Sequence, residues 1–170
     1  MKNKTLWWCF IEFVFVSTLG TLLHFLFELT SLLIFAPISA VNESTWEHMK
    51  ILFMPCFIFA IIESLTLYKK VKGFFNVKFI ATLVATLTIP LLYYTYNGAI
   101  GKSPFYVDIL IFYIASFVNS LISYKLLKIP KTNPKSGVYG LIGLLLLFPA
   151  FAIFTFYPPS LPIFIDPLNG

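Results

Sequence analysis

The stretch Gly137-Val138-Tyr139-Gly140-Leu141-Ile142-Gly143-Leu144-Leu145-Leu146-Leu147-Phe148-Pro149-Ala150-Phe151-Ala152-Ile153-Phe154-Thr155-Phe156-Tyr157 contains no acid and no base. At about 1.5 Å per residue a helix of this length spans roughly 30 Å, the thickness of a bilayer's hydrocarbon core. Backbone groups in lipid must be paired within the segment, so the stretch predicts a transmembrane helix. Four more windows read the same way. They run from about Leu6 to Leu29 (with apolar character continuing to Ile38), Trp46 to Tyr68, Phe74 to Tyr96 and Phe105 to Leu127. The breaks carry stop signals: Pro37, Lys69-Lys70-x-Lys72-Gly73, Asn97 to Pro104, and Lys128 to Lys135.

Composition agrees. The 170 residues are 59% hydrophobic and only 11% charged, against about 25% charged in a soluble domain. So little charge cannot clothe a water-facing surface. The predicted fold is therefore all-α, a polytopic bundle of five spans in one integral membrane domain over 1–170, with 158–170 as a tail. The partner this implies is the lipid bilayer, in the cell membrane, and not nucleic acid. The apolar run that follows Lys2 and Lys4 is too long for a signal peptide and has no clean cleavage site, so a retained first span is expected. Cys9 and Cys56 map to different depths, which disfavours a disulfide between them.

With five spans, Lys2, Lys4, Lys69, Lys70, Lys72, Lys78, Lys125, Lys128, Lys131 and Lys135 fall on one side and Lys50 and Lys102 on the other. By the positive-inside rule the N-terminus is expected in the cytoplasm and the C-terminus outside. The acids run the other way. Glu28, Glu43, Glu47, Asp108 and Asp166 map to the outer half or outer loops, as do His24 and His48. Glu12 and Glu63 share a depth near the cytoplasmic side. If that pair is close and buried, one of the two is expected to stay protonated.

At 100° per residue, Ser17, Gly20, Thr21, His24, Glu28 and Ser31 share one face of the first helix. Small residues there suit helix packing. His24 and Glu28, at i and i+4, are ionisable groups at membrane depth and so are candidates for function. A second stripe, Asp108, Phe112, Ser116, Asn119 and Ser123, marks the fourth helix. Between the first two helices, Val41-Asn42-Glu43-Ser44-Thr45-Trp46-Glu47-His48-Met49-Lys50 is dense in polar groups. Ser44-x-x-Glu47 fits a capping box, and Trp46 suits an interfacial belt. His48 in a first turn is disfavoured as a cation and is expected neutral, the state a metal ligand or general base requires. Pro55, Pro90 and Pro149 lie inside spans. With the clustered acids they suggest an outward-opening polar vestibule.

The candidate vestibule is lined by His24, Glu28, Glu43, Glu47, His48, Asp108 and Asp166, with Glu12 and Glu63 as a candidate inner pair. A divalent metal is a candidate cofactor, with His24, His48, Glu28 and Glu47 as ligands of the kind zinc or manganese accepts. No H-E-x-x-H motif supports it.

Val41-Asn42-Glu43-Ser44-x-Trp46-Glu47-His48-x-Lys50, Gly20 to Glu28 and Pro158-Pro159-x-x-Pro162-x-Phe164-x-Asp166-Pro167 resemble the pattern of a family of small, uncharacterised bacterial multi-spanning membrane proteins. The resemblance covers essentially the whole chain. It implies a membrane location and carries over no catalytic residue.

Three functions stay open, and with them whether the chain is an enzyme. It binds or moves a small solute, proton or cation through the acidic vestibule. Or it is a metal-dependent intramembrane hydrolase of a lipid-like substrate, with Glu28 or Glu47 activating water. Or it is a structural or accessory subunit. A homodimer or a partner membrane subunit is compatible with each.

Overall fold

A computed structural model describes residues 2–67, 71–102, 104–129 and 136–168. Five helices carry the fold: α1 (Lys2–Thr30), α2 (Thr45–Leu67), α3 (Phe74–Ala99), α4 (Phe105–Leu127) and α5 (Ser136–Phe156). No strand occurs among the described residues. All five helices are long and apolar enough to cross a membrane, which fits a multi-pass membrane protein.

Local chemistry sets the ends. Ser31 at φ 53° turns α1 off, and its amide closes onto the Phe27 carbonyl at 2.7 Å. Gly73 at φ 72° precedes α3 in the left-handed region that glycine enters freely. Pro104 precedes α4, where its missing N–H costs nothing.

Successive helices reverse direction. The proximal end of the bundle holds the start of α1 and the close of α2 and α4. The distal end holds the close of α1 and the start of α2 and α4. Helix α2 is central and packs on α1, α3, α4 and α5. The core between the helices is built from Val16, Leu52, Phe53, Ala85, Ala115, Leu144 and Phe151. Leu22, Leu65, Leu91, Leu110 and Leu146 point outward, as a lipid-facing surface requires. Helix α5 lies against α3 through Gly137, Gly140 and Gly143. A Cβ on Gly140 would overlap the Asn76 backbone, and one on Gly143 would sit 2.6 Å from the Phe79 ring. Small residues of this kind let two backbones approach closely.

Two lysines of the sorting are not surface groups. Lys50 and Lys78 lie inside α2 and α3 and are wholly buried, not displayed in connecting loops. Lys50 is held by one buried carboxylate, Glu47, and Lys78 by two, Glu12 and Glu63, partners that a hydropathy window does not register.

After α5 the chain folds back over the distal end. Phe164, in a short 3₁₀ turn, packs on Trp46 with ring centroids 4.7 Å apart and on Phe154 at 5.9 Å. Trp46 also meets Phe151 at 4.6 Å, so it anchors the tail to α2 and α5.

Candidate functional site

The distal site begins at the turn before α2. The Asn42 side chain accepts a hydrogen bond from the Ser44 amide at 2.9 Å, and Ser44 caps α2 through the Glu47 amide at 3.4 Å. The capping box is completed differently from its usual form. Glu47 reaches past Ser44 and accepts from the Val41 amide at 3.0 Å. These bonds fix the turn that carries Glu43.

His48 follows one turn into α2. Its Nδ1 lies 3.0 Å from the Ser44 carbonyl oxygen. A carbonyl only accepts, so Nδ1 bears the proton and, in the neutral ring, Nε2 keeps a free lone pair. That lone pair faces Glu43, with Nε2 3.6 Å from Oε2. His24, from α1, points its own Nε2 at the same oxygen, also at 3.6 Å. The two imidazole rings meet edge to face at 5.3 Å. His24 Nδ1 is buried and has no hydrogen-bond partner among the described residues. The His24 ring beside Glu43 holds its carboxyl below the usual carboxylate range. This outweighs partial burial, and the His48 ring adds to it when it carries a proton on both nitrogens.

Those distances suit ligation better than hydrogen bonding. At 3.6 Å the contacts are too long for a hydrogen bond. Two ligand atoms about 2.0–2.1 Å from a tetrahedral ion stand roughly 3.4 Å apart. One ligand atom from each of His24, Glu43 and His48 lies within 4.8 Å of the others, so the three can hold a metal ion together.

The cluster opens into a cavity of about 440 Å³. Glu28 and Asp108 share its wall with Lys102. Phe25, Ile89, Phe105, Ile111 and Phe112 form its apolar side, and Pro167 and Leu168 of the folded-back tail close it. Three acids against one lysine leave the lining two negative charges in surplus. Of the three helix-interior prolines, Pro90 adjoins the cavity through Ile89, Pro55 is buried in the core and Pro149 is exposed.

The structure therefore brings His24, Glu28, Glu43, His48 and Asp108 to one cavity. It puts Glu47 elsewhere. Glu47 is buried in an ion pair with Lys50 and accepts from the Thr155 hydroxyl at 2.9 Å. Lys50 also donates to the Ala36 carbonyl and to Thr155, both at 2.7 Å. This set ties α2 to α5 and to the α1–α2 connection, and leaves Glu47 no room to act as a ligand. Asp166 accepts from the Leu168 amide at 2.9 Å and so shapes the tail that caps the cavity.

A second polar cluster lies in the proximal half. Glu12 and Glu63 converge from α1 and α2 on the ammonium of Lys78. The Lys78–Glu12 distance is 2.9 Å, and Glu63 is ion-paired through Oε2. The Asn119 amide donates to Glu12 Oε1 at 2.9 Å, and Lys78 also reaches the Ser123 hydroxyl at 3.4 Å. The facing stripes of α1 and α4 join the two clusters. Ser17 and Ser116 hydroxyls meet at 3.1 Å, and Thr21 meets the Tyr113 hydroxyl at 3.3 Å just below His24. A Cβ on Gly20 would overlap the Phe112 ring and lie 3.0 Å from the Ile51 carbonyl, so glycine is what lets this seam close. Lys78 is the member that spacing arguments miss. Its signal in the sequence is a lysine five residues into a 26-residue apolar helix.

Cys9 and Cys56 are both buried free thiols. No curated protein and no solved structure matches the chain. A family model described as a family of unknown function matches residues 1–170. With the match running over the whole chain, five-helix bundle and both clusters included, the protein belongs to the family of unknown function DUF6512.

Proposed function

We propose that this protein is a membrane-embedded receptor for a divalent transition-metal ion, held at the distal end by His24, Glu43 and His48. The observation that carries the reading is the placement of one Glu43 oxygen 3.6 Å from both imidazole Nε2 atoms, with the His48 ring oriented by the Ser44 carbonyl. Two nitrogens and one oxygen form a donor set that suits zinc or manganese, and the cavity leaves further positions open. The surplus of two negative charges on the lining matches a divalent guest and draws cations toward it.

The sequence positions of the remaining lysines support an orientation. Setting aside the buried Lys50 and Lys78, nine lysines fall on the proximal side and only Lys102 on the distal side. By the positive-inside rule the proximal end faces the cytoplasm and the cavity opens outward. The protein then captures its ion from outside, and Glu28 and Asp108 at the cavity wall are the first groups that ion meets.

A second reading follows from the size and wall of the cavity. About 440 Å³ with a largely apolar lining is in the range of pockets that take organic ligands. In a metal-dependent hydrolase of a lipid-like substrate, the open coordination position would carry water and Asp108 or Glu28 would accept its proton.

Metal analysis of protein purified without chelator tests the first reading, alongside His24→Ala and His48→Ala. About one zinc or manganese per chain is expected in the wild type, and loss of most of it in each variant. Wild-type protein that takes up no divalent metal contradicts both readings. Proteoliposome flux with Glu28→Gln tests whether the captured ion goes on to cross the membrane: a severalfold slower metal uptake supports transfer, and unchanged uptake counts against it.

A further inference from the structure

The proximal cluster has no part in the metal site, yet its three ionisable members are among the most deeply buried of the described residues. Glu12, Glu63 and Lys78 are 1%, 0% and 0% exposed. Two carboxylates face one ammonium. Among the described residues no second buried ammonium faces the cluster. Helix α4 supplies the neutral Asn119 and Ser123. The buried thiols of Cys9 and Cys56 stand near the same charges, with Lys128 further off. Helix α5 has no Asp, Glu, Lys, Arg or His in its sequence. Fully ionised, the cluster holds one uncompensated negative charge where burying a charge is expensive.

The hydrogen bonding locates the deficit. Both oxygens of Glu12 are engaged, one by Asn119 and one by Lys78. Neither Glu63 oxygen has a hydrogen-bond partner among the described residues; Oε2 is ion-paired with Lys78, and Oε1 is buried with no ion pair either. A buried oxygen without a partner beside a surplus negative charge is a place for one further cation of minimal size. We propose that the Glu12–Lys78–Glu63 cluster is a proton-binding site, with its proton on the Glu63 side and exchanged with the proximal face.

A cavity approaches the cluster from the proximal face. It measures about 350 Å³ and opens between α1 and α2 at the proximal end, lined by Lys4, Trp7, Trp8, Ile11, Thr66 and Leu67. Trp8 lies one turn before Glu12 and Leu67 one turn after Glu63, so the cavity ends about one helical turn from the cluster. Proton binding closes the charge balance of the cluster: one H⁺ is taken from water at the proximal face, one carboxylate becomes a carboxyl, and net charge goes from −1 to 0. The site needs no metal at the distal end, so it stands or falls separately from the metal reading.

Infrared difference spectroscopy of the full chain in lipid vesicles reads the carbonyl stretch of a protonated carboxyl directly. With metal absent and pH scanned from acid to alkaline, one buried carboxyl band is expected. It shifts in D₂O and disappears as pH rises. Glu63→Gln and, separately, Glu12→Gln each leave one carboxylate with one ammonium, so each is expected to abolish that band. Lys78→Gln, where it folds, removes the countercharge and is expected to double it. Absence of a buried carboxyl band in the wild type at every pH overturns the proposal, as does a band that survives both glutamine variants. Loss of the band on adding sodium at constant pH also overturns it, because the cluster would then be a metal-cation site.

Discussion

His48 holds its Nδ1 3.0 Å from the carbonyl oxygen of Ser44. This contact crosses one turn of chain at the start of α2 and sets which nitrogen faces Glu43. Metal-binding histidines are oriented by a bond of this kind from the second ring nitrogen. The expectation is that His48→Ala and His24→Ala each weaken zinc binding at least about tenfold, the lower end for disturbing such a site. Calorimetric titration checks it, with circular dichroism showing unchanged helix content.

Glu43 lies between α1 and α2, and the His24 imidazole beside it holds its carboxyl below the usual range. A folded-state value below the unfolded one contributes stability at pH above the unfolded value, about 4.3 for glutamate, and that contribution is lost as pH falls through the folded value. Wild type and Glu43→Gln are therefore expected to differ by a constant margin in thermal stability through the neutral range. The margin shrinks below about pH 4. A margin that grows on acidification contradicts this account of Glu43.

The sequence makes the span windows legible because bilayer thickness and backbone hydrogen bonding act on local composition. The window from Phe105 to Leu127 coincides with α4, and that from Trp46 to Tyr68 begins one residue inside α2, with Tyr68 outside the described residues. The α4 stripe from Asp108 to Ser123 was visible through its spacing alone. On α1, Ser17 and Gly20 turn inward as that face requires, while Glu28 and Ser31 are exposed where the helix ends. The buried ion pairs were not legible. Lys50 and Lys78 follow the same local code as loop lysines, and only tertiary partners more than 40 residues away or on the opposite side of a turn reveal them. Glu47 looked like a vestibule group for the same reason: its spacing records the cap but not the Lys50 ammonium behind it.

The Glu47–Lys50 pair is sealed against α5 by Thr155. Removing one partner leaves a buried charge alone, which destabilises by about 3–5 kcal/mol in known cases. Lys50→Met and Glu47→Gln are each expected to unfold at markedly lower temperature in detergent. The double variant is expected to recover most of the loss. Two single variants as stable as wild type would show the pair to be dispensable.

Helix α5 depends on Gly140, where an added Cβ would overlap the Asn76 backbone. Backbone cannot give way as a side-chain tip can, so Gly140→Ala is expected to cost about 1–3 kcal/mol, the range for overpacking. Gly98, with nothing near its Cβ position, is the control. Thermal unfolding of the two alanine variants distinguishes packing from a general intolerance of substitution at glycine.

X-ray absorption at the zinc edge, on full-length protein loaded with one equivalent of zinc, tests the distal metal site most directly. The account predicts a first shell with two imidazole nitrogens and one carboxylate oxygen at about 2.0–2.2 Å, reduced by one imidazole in His24→Ala and again by one in His48→Ala. A shell of oxygen alone, or one that neither substitution changes, would contradict it.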